Sequence, residues 1–290
     1  MLSIALPKGS LQEQTLLLFT EADLPVKRSS REYTVSIADE RISNVKILRP
    51  QEIPKYVEEG YFDMGISGLD CITESGAGVV EVADMPYAKT GTGFMKMVIA
   101  VPEDSSIQAA ADIKPGSRVT TEFPNITRNY FEKLGIPVDV FYSYGATEAK
   151  VPEIMDVVVD LTETGSTLRR NHLKIVDVIM ESTTRLIANK ASWEDPEKRK
   201  AMEEIRTLLL GVIDARGRVL LSMNVAKDRL DDVVGVLPAM KRPTVAPLYD
   251  SDSFSITTVV DKDTVNVIIP KLKAVGAEDI LEQNISKIVR

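Results

Sequence analysis

Short apolar runs alternate with segments of helical period through the first two-thirds of the chain. The apolar runs predict strands at residues 2–6, 33–38, 44–49, 62–70, 95–102, 138–145, 154–161 and 173–182, and residues 112–124 hold a turn and a further strand. Helices are predicted at residues 11–23, 51–60, 125–135 and 167–171, with Asn125 as a candidate N-cap and Gly60 and Gly135 as candidate stop signals. This alternation is typical of α/β lobes, which bind ligands at the carboxyl ends of their strands.

The pattern changes at Ser192, where a long amphipathic segment begins. Ser192 or Asp195 is a candidate N-cap, and the helix should end near Gly217. Residues 218–290 then predict the order β-α-β-β-α-β of a ferredoxin-like sandwich, provided that RPTVAPLYD hides a short strand. Pro270 conflicts with the last predicted helix and implies a kink or a later start. We expect one lobe at 1–92 and 183–216, a second at 93–182, and a separate module at 217–290.

Composition and charge exclude several classes of protein. The 290 residues carry a net charge of −8, which argues against nucleic-acid binding through bulk electrostatics. Cys71 is the only cysteine and His172 the only histidine, so a disulfide, a cysteine zinc site and a Ser-His-Asp triad are not expected. The N-terminus does not resemble a signal peptide, and no apolar run approaches the ~20 residues that a membrane span needs. We therefore expect a cytoplasmic protein without a membrane partner.

The segment DVVVDLTETGSTLRRN, residues 156–171, holds the most specific chemistry. Its valines predict a strand buried on both faces, but packing does not explain the carboxylates of Asp156 and Asp160. These two residues lie four apart and so on the same face of a strand. Thr164, Gly165, Ser166 and Thr167 follow at the start of a helix, where hydroxyls and backbone N–H groups can hold a phosphate. Carboxylates that accept bonds from sugar hydroxyls, followed by such a cradle, predict a ribose 5-phosphate ligand.

A plainer interpretation of this segment is a capped helix after a strand, with Asp160 solvated. The segment is not a Walker A loop, because the lysine of that motif is missing. GTGFMK, residues 91–96, lacks the third glycine of a dinucleotide fingerprint and is interpreted as a turn between the lobes.

VVDLTETGSTLRRN resembles the phosphoribosyl-diphosphate motif of the ATP phosphoribosyltransferase family, which opens histidine biosynthesis. LPKGSL, ILRPQEIPKYVEEGYFDMGISGLD and TEFPNITRNYF are similar to other segments of that family, in the same order. RPTVAPL and GAEDIL resemble the regulatory domain of its long form. The resemblance covers essentially the whole chain. It implies two periplasmic-binding-protein-like lobes of type II and a C-terminal ACT-like domain.

The resemblance also implies an activity and its partners. N1 of ATP would attack C1 of phosphoribosyl diphosphate and release pyrophosphate, with Mg²⁺ held mainly by the substrates and no dedicated protein cage. No strong general base is required, so no catalytic residue is named and catalysis rests on positioning and electrostatics. Histidine would inhibit, and dimers would assemble into a hexamer.

The predicted site residues fall into three groups. Phosphoribosyl diphosphate is assigned to Asp156, Asp160, Glu163, Thr164, Gly165, Ser166, Thr167 and Leu168. ATP is assigned to Lys8, Gly9, Ser10, Leu11, Arg49 and Asp70, although Ser10 stands where the family usually has arginine. Histidine is assigned to Asn224, Thr244 and Asp279, each of which could equally be a surface polar residue.

Two other functions remain open on the sequence. The first is a non-catalytic binding protein, in which the lobes hold an anion and the ACT-like module senses an amino acid. The second is a type I phosphoribosyltransferase with another base acceptor. Those enzymes usually place two adjacent acidic residues before the loop, whereas Leu161 follows Asp160 here.

Overall fold

The computed structural model describes residues 1–28, 34–87, 93–238 and 242–290. They form two compact units, Met1–Arg206 and Thr207–Arg290. This division falls inside one long helix, and the predicted domain boundaries stay predictions.

The elements of the described residues are as follows. The strands are β1 Leu2–Pro7, β2 Val26–Arg28, β3 Thr34–Ile37, β4 Ile42–Leu48, β5 Met64–Gly68, β6 Val80–Met85, β7 Met95–Pro102, β8 Arg118–Thr121, β9 Asp139–Tyr142, β10 Val157–Thr162, β11 Leu173–Ser182, β12 Thr184–Ala188, β13 Arg218–Ala226, β14 Thr244–Pro247, β15 Ser253–Asp261 and β16 Ala277–Asn284. The α-helices are α1 Gln12–Glu21, α2 Ile53–Glu58, α3 Leu69–Ser75, α4 Pro124–Leu134, α5 Ser166–Arg170, α6 Lys190–Glu194, α7 Pro196–Ala215, α8 Leu230–Val236 and α9 Lys262–Ala274.

The first unit contains two sheets of the same design. Their strand orders are β2-β3-β4-β1-β5-β12-β6 and β11-β7-β10-β8-β9. In each sheet, three parallel strands are flanked on one side by an antiparallel strand, β12 in the first and β7 in the second. In the first sheet β3 also pairs antiparallel with β4 on the other side. Each of those antiparallel strands follows a chain segment that belongs to the other sheet. This is the doubled, periplasmic-binding-protein-like arrangement that was predicted, and we call the sheets with their helices lobe I and lobe II.

The chain passes between the lobes after β6 and again after β11. At the first passage a Cβ on Gly93 would lie 2.5 Å from backbone atoms of Pro86 and Tyr87. The φ angle of Gly93 is also +81°, so this passage requires glycine. Residues 91 and 92 of the predicted GTGFMK turn lie outside the described residues, and β7 begins at Met95.

Lobe II is built around β7 and β10, whose central side chains are buried. Val157 and Val159 pack with Met97 and Ile99 in one cluster, while Val158 faces a second cluster on the other side of the sheet. A central strand covered on both faces explains the unbroken run of valines.

The second unit has the sheet order β14-β15-β13-β16, with all neighbours antiparallel. Helices α8 and α9 cover one face, where Val233 and Leu272 pack on Leu221 and Met223. The predicted ferredoxin-like α+β domain is therefore confirmed, and β14 is the short strand that RPTVAPLYD was expected to hide.

Several local predictions were wrong. Helix α4 begins at Pro124, so Asn125 lies in its first turn and is not the N-cap. Of the two N-caps predicted for the long helix, Asp195 is confirmed, since it accepts bonds from the first N–H groups of α7, and Ser192 is wrong because it lies within α6. Helix α9 begins at Lys262 and continues through Pro270, so the later start was wrong. Helix α3 and strand β12 were missed, because seven and five residues are too short for a clear period. None of the described helices has the length and apolarity of a bilayer span.

Candidate active site

A cleft of about 400 Å³ lies between the two lobes. Lobe I contributes Ser10, Leu11, Pro50, Gln51, Gly68, Asp70, Cys71 and Tyr87. Lobe II contributes Met95, Glu122, Phe123, Asp160, Leu161, Glu163 and Ser182, the two passages contribute Gly93 and Thr183, and β12 of lobe I contributes Thr184. The charged side chains of this lining are all carboxylates.

Cations lie in a hollow that adjoins this cleft. Lys8 and Arg49 line the hollow together with Ser10, Pro50 and Gln51, which also line the cleft. The two cations meet because β1 and β4 are parallel neighbours, with Pro7 opposite Leu48, and each cation follows the end of its strand. The N–H of Lys8 donates to the carbonyl of Leu48 at 2.7 Å, which holds the two chain segments together. The structure thus brings together the predicted ATP residues Lys8, Gly9, Ser10, Leu11 and Arg49.

Asp70 is held rigidly in the wall of the cleft. The hydroxyl of Ser182 donates to its Oδ1 at 2.6 Å, and the N–H of Asp70 donates to that hydroxyl at 3.0 Å. A Cβ on Gly68 would lie 2.1 Å from the same Oδ1, so the GISGLD turn permits this approach only with glycine. The thiol of Cys71 donates to Oδ2 at 3.3 Å. Burial, together with the Asp70 charge, raises the pKa of that thiol well above its usual range, so the cysteine is not a nucleophile.

The loop after β10, which was predicted to bind a phosphate, turns at Gly165 into the first turn of α5, and the N–H of Ser166 donates to the Thr164 hydroxyl at 3.4 Å. Gly165 precedes α5 with a φ angle of +70°, and its N–H donates to the Thr162 hydroxyl at 2.8 Å. Ser166 and Thr167 are exposed in the first turn of α5, where backbone N–H groups have no acceptor within the helix. Leu168 contributes only its backbone, since its side chain is buried in the core of lobe II.

Asp160 lies in β10, two residues before the strand ends, and lines the cleft. Burial raises the pKa of its carboxyl to about 6, against the lowering effect of a hydrogen bond from the Leu161 N–H, and the charges of Glu148 and Glu122 raise it further. The N–H of Leu161 donates to Oδ1 at 2.7 Å. A carboxylate in such surroundings binds cationic or hydroxyl groups more readily than it binds anions.

Asp156 does not belong to this group, and the prediction that it shares a ribose with Asp160 is wrong. It precedes β10, and Arg118 binds its carboxylate through Nη2 at 2.8 Å and through the backbone N–H at 2.8 Å. This interaction lowers the pKa of Asp156. Four steps along an extended chain place the Cα atoms of the two aspartates about 13 Å apart. Both lie on one face, as predicted, but Asp156 lies just before β10 and Asp160 lies within its second half.

The comparisons with known proteins decide the family. Residues 49–211 match the sequence family of ATP phosphoribosyltransferase, and residues 215–287 match its C-terminal domain. The ATP phosphoribosyltransferase of Solibacter usitatus is 47% identical over 100% of this chain and 99% of its own length. That of Desulforudis audaxviator is also 47% identical, over 99% of each chain. The chain belongs to the ATP phosphoribosyltransferase family. It is a pentosyl-transferring enzyme of the first step of histidine biosynthesis.

A solved structure supports the same conclusion for the lobes. A chain of the ATP phosphoribosyl transferase (HisG:HisZ) complex from Thermotoga maritima superposes with a TM-score of 0.63 at 28% identity. The match covers 74% of the present chain and 99% of the Thermotoga chain.

Glu122 and Tyr87 are among the cleft residues that were not predicted as site residues from the sequence. Glu122 follows the end of β8, and an acidic residue at a strand end was the available signal. Tyr87 shares a 2.8 Å hydrogen bond with the buried Thr15 hydroxyl, and its carbonyl accepts from Thr184. No pattern in the sequence indicates this contact, because it joins α1 to both passages between the lobes.

The ATP phosphoribosyltransferase family uses a divalent metal ion, and the cleft offers suitable donors. The carboxylates of Asp70, Glu122, Asp160 and Glu163 are hard oxygen ligands. Within the described ranges, no group of three or more such side chains converges to hold an ion. The donor set therefore fits an ion whose remaining ligands are substrate oxygens, and the expectation that no dedicated cage exists stays a prediction.

The predicted effector residues lie on the sheet face that α8 and α9 leave open. The amide of Asn224 donates to Oδ2 of Asp279 at 3.0 Å. Thr244 lies at the far edge, opposite Thr257, which in turn is opposite Ser222. Since β15 separates β14 from β13, Thr244 is about 10 Å from the strand of Asn224. The structure joins Asn224 with Asp279 and separates Thr244 from them.

Proposed function

We propose that the cleft holds ATP against lobe I and phosphoribosyl diphosphate against lobe II, and that N1 of the adenine displaces pyrophosphate from C1 of the ribose. The observation that supports this proposal is the contrast between the cleft and the hollow that adjoins it on lobe I. Lys8 and Arg49 supply cations in the hollow, whereas Asp160 and Glu163 supply carboxylates on the lobe II side of the cleft, next to the loop at 164–168.

On lobe II, Thr164, Gly165, Ser166, Thr167 and the backbone of Leu168 hold the 5-phosphate. Asp160 and Glu163 accept bonds from the ribose hydroxyls. On lobe I, Lys8, Gly9, Ser10 and Leu11 hold ATP phosphates together with Arg49, and Asp70 faces the adenosine. Ser10 offers a hydroxyl where the family usually has a guanidinium, so Arg49 carries more of the phosphate charge.

These residues promote the transfer by positioning the two substrates and by electrostatic stabilisation of the transition state. As pyrophosphate leaves, positive charge develops at C1, and the carboxylates of Asp160, Glu122 and Glu163 favour that charge. The same carboxylates oppose bound phosphates. Mg²⁺, held by substrate oxygens and these carboxylates, supplies the neutralising charge when it is bound. The two lobes hold the N1 lone pair and C1 in line, which removes most of the entropic cost of the encounter.

The second unit is proposed to sense histidine. The paired Asn224 amide and Asp279 carboxylate offer an acceptor for an ammonium group and a donor for a carboxylate. We propose that this chain forms a homo-oligomer in which dimers assemble into a hexamer. Histidine binding at this pair of residues would lower the transfer rate by changing that assembly. Cytoplasmic location and the absence of nucleic-acid partners stay predictions.

The first experiment follows the ultraviolet absorbance of N1-substituted adenine with purified protein, ATP, phosphoribosyl diphosphate and Mg²⁺. The signal should require all three components and should fall with millimolar histidine. Lys8→Ala and Arg49→Ala should each raise the KM for ATP by roughly tenfold or more. Unchanged KM values in both variants would contradict the assignment of ATP to the cationic hollow.

Other outcomes separate the remaining functions. Phosphoribosyl transfer that is insensitive to histidine would support the enzymatic activity and contradict the proposal that the second unit senses histidine. Binding of phosphoribosyl diphosphate in a calorimeter without any product from ATP would favour another acceptor base or a binding protein.

A further inference from the structure

Helix α3 of lobe I contacts lobe II at two points. Asp70 at its start binds Ser182, which lies next to the second passage between the lobes. One turn later, Glu74 binds the start of α4, which is 51 residues away along the chain. The first contact lies close to a connection between the lobes, whereas the second joins elements that no short chain segment connects.

The Glu74 carboxylate uses both oxygens on the first turn of α4. Oε1 accepts from the N–H of Asn125 at 2.9 Å, and Oε2 accepts from the N–H of Ile126 at 2.9 Å. The amide of Asn125 donates in return to the carbonyl of Glu74 at 3.0 Å. These N–H groups have no acceptor within their own helix, and the N-cap residue Phe123 offers none from its side chain. Helix α4 is thus capped by a charged group from the opposite lobe.

This contact lies directly behind the two facing walls of the cleft. Asp70 and Cys71, one turn before Glu74, line the wall of lobe I. Glu122 and Phe123, just before α4, line the wall of lobe II. Any movement that separates the lobes at this point breaks three hydrogen bonds and moves Glu122 away from Asp70.

We propose that Glu74 is a positioning residue for phosphoribosyl transfer, which latches the start of α4 to lobe I and sets the spacing of the two substrate walls. It touches neither substrate. It acts by raising the fraction of protein in which both half-sites face each other, and the apparent affinity for substrates scales with that fraction. The kinetic part of this inference rests on the proposed assignment of one substrate to each lobe.

The test uses Glu74→Ala and Glu74→Gln in the full-length protein. The glutamine side chain of the second variant keeps one acceptor oxygen and loses the other, so its effect should be intermediate. Thr73→Ala is the matched control, because Thr73 is exposed on the same helix and its hydroxyl donates to the Leu69 carbonyl within that helix. The alanine variant should lower kcat/KM for both substrates by about 30-fold, the glutamine variant by less, and the control by under twofold.

A distance measurement separates the latch from a merely stabilising cap. Spin labels at Tyr61→Cys and Tyr144→Cys report the separation of the lobes, since these side chains are 67% and 95% exposed on lobe I and lobe II. Cys71 is buried and has a raised pKa, so it resists labelling. Labelled protein is diluted with unlabelled protein to suppress distances between subunits.

Without ligand, Glu74→Ala should broaden or lengthen the distance distribution relative to wild type and to Thr73→Ala. An unchanged distribution would overturn the latch. A changed distribution with wild-type kinetics would overturn the positioning role. The distance measurement does not depend on activity, so it tests the latch even if the assignment of substrates is wrong. If Glu74→Ala does not fold, the kinetics and the distance distribution are measured on Glu74→Gln instead.

Discussion

Replacing Asp160 by asparagine should make the folded protein more stable while it removes most of the activity. Burial raises the pKa of this carboxyl from the ordinary 3.8 to about 6. Its ionisation at neutral pH therefore opposes folding. A shift of that size corresponds to about 3 kcal/mol in the free energy of unfolding, as an upper bound. Asparagine has the same shape, keeps an oxygen for the Leu161 N–H, and carries no charge beside Glu122.

The pH dependence identifies the cause of the gain. Because the folded pKa is raised, the stability of the wild type is complete below the unfolded pKa and is lost as the pH rises through the folded one. Asparagine mimics the protonated carboxyl. The gain should therefore vanish below about pH 4, reach its full size above about pH 7, and be roughly twice as large at pH 8 as at pH 5.

The assay is denaturant unfolding of wild type and Asp160→Asn without substrates, over this pH range. The same variant should lose roughly a hundredfold in kcat/KM, because it cannot favour positive charge at C1. A variant that is less stable at pH 8, or a gain that does not depend on pH, would refute the reasoning. The first result would mean that the carboxylate is stabilised in the folded protein, and the second that packing alone had changed.

Three further predictions use other parts of the chain. Asp156→Asn should change the steady-state KM for phosphoribosyl diphosphate by less than twofold. A tenfold rise in that KM would show that Asp156 contacts this substrate. Asp63→Asn should lower the free energy of unfolding by roughly 2 to 3 kcal/mol at neutral pH. Burial raises the pKa of Asp63, but hydrogen bonds, the strongest of them from Lys198, hold that pKa below its ordinary value. The stability difference between wild type and variant should therefore shrink as the pH falls below about 4, as measured by denaturant titration. Asn224→Ala and Asp279→Ala should each weaken histidine inhibition at least tenfold without changing the uninhibited rate, and unchanged inhibition curves would exclude this face.

The candidate site was partly predictable because some of its parts are local. A strand of three valines followed by Thr162 and a glycine before a short helix predicts a loop at a strand end, and the structure has that loop. Lys8 and Arg49 each follow a predicted strand, so the sequence alone places both at the carboxyl-end edge of a sheet. It does not show which residues surround them. The prediction that Asp156 and Asp160 bind the same ribose was wrong, because the alternation of side chains along a strand shows which face a side chain lies on and not how far it is from another side chain.

The sequence by itself determined the α/β class, the ferredoxin-like second unit and the loop after β10. These follow from periodicity, capping and turn chemistry, which act within a few residues. Only the tertiary structure decided that Asp160 faces the cleft while Asp156 binds Arg118, that Glu122 joins the acidic wall, and that Glu74 caps a helix of the opposite lobe. Those facts depend on which strand ends and helix ends converge after packing, and spacing along the chain does not specify distances across a fold.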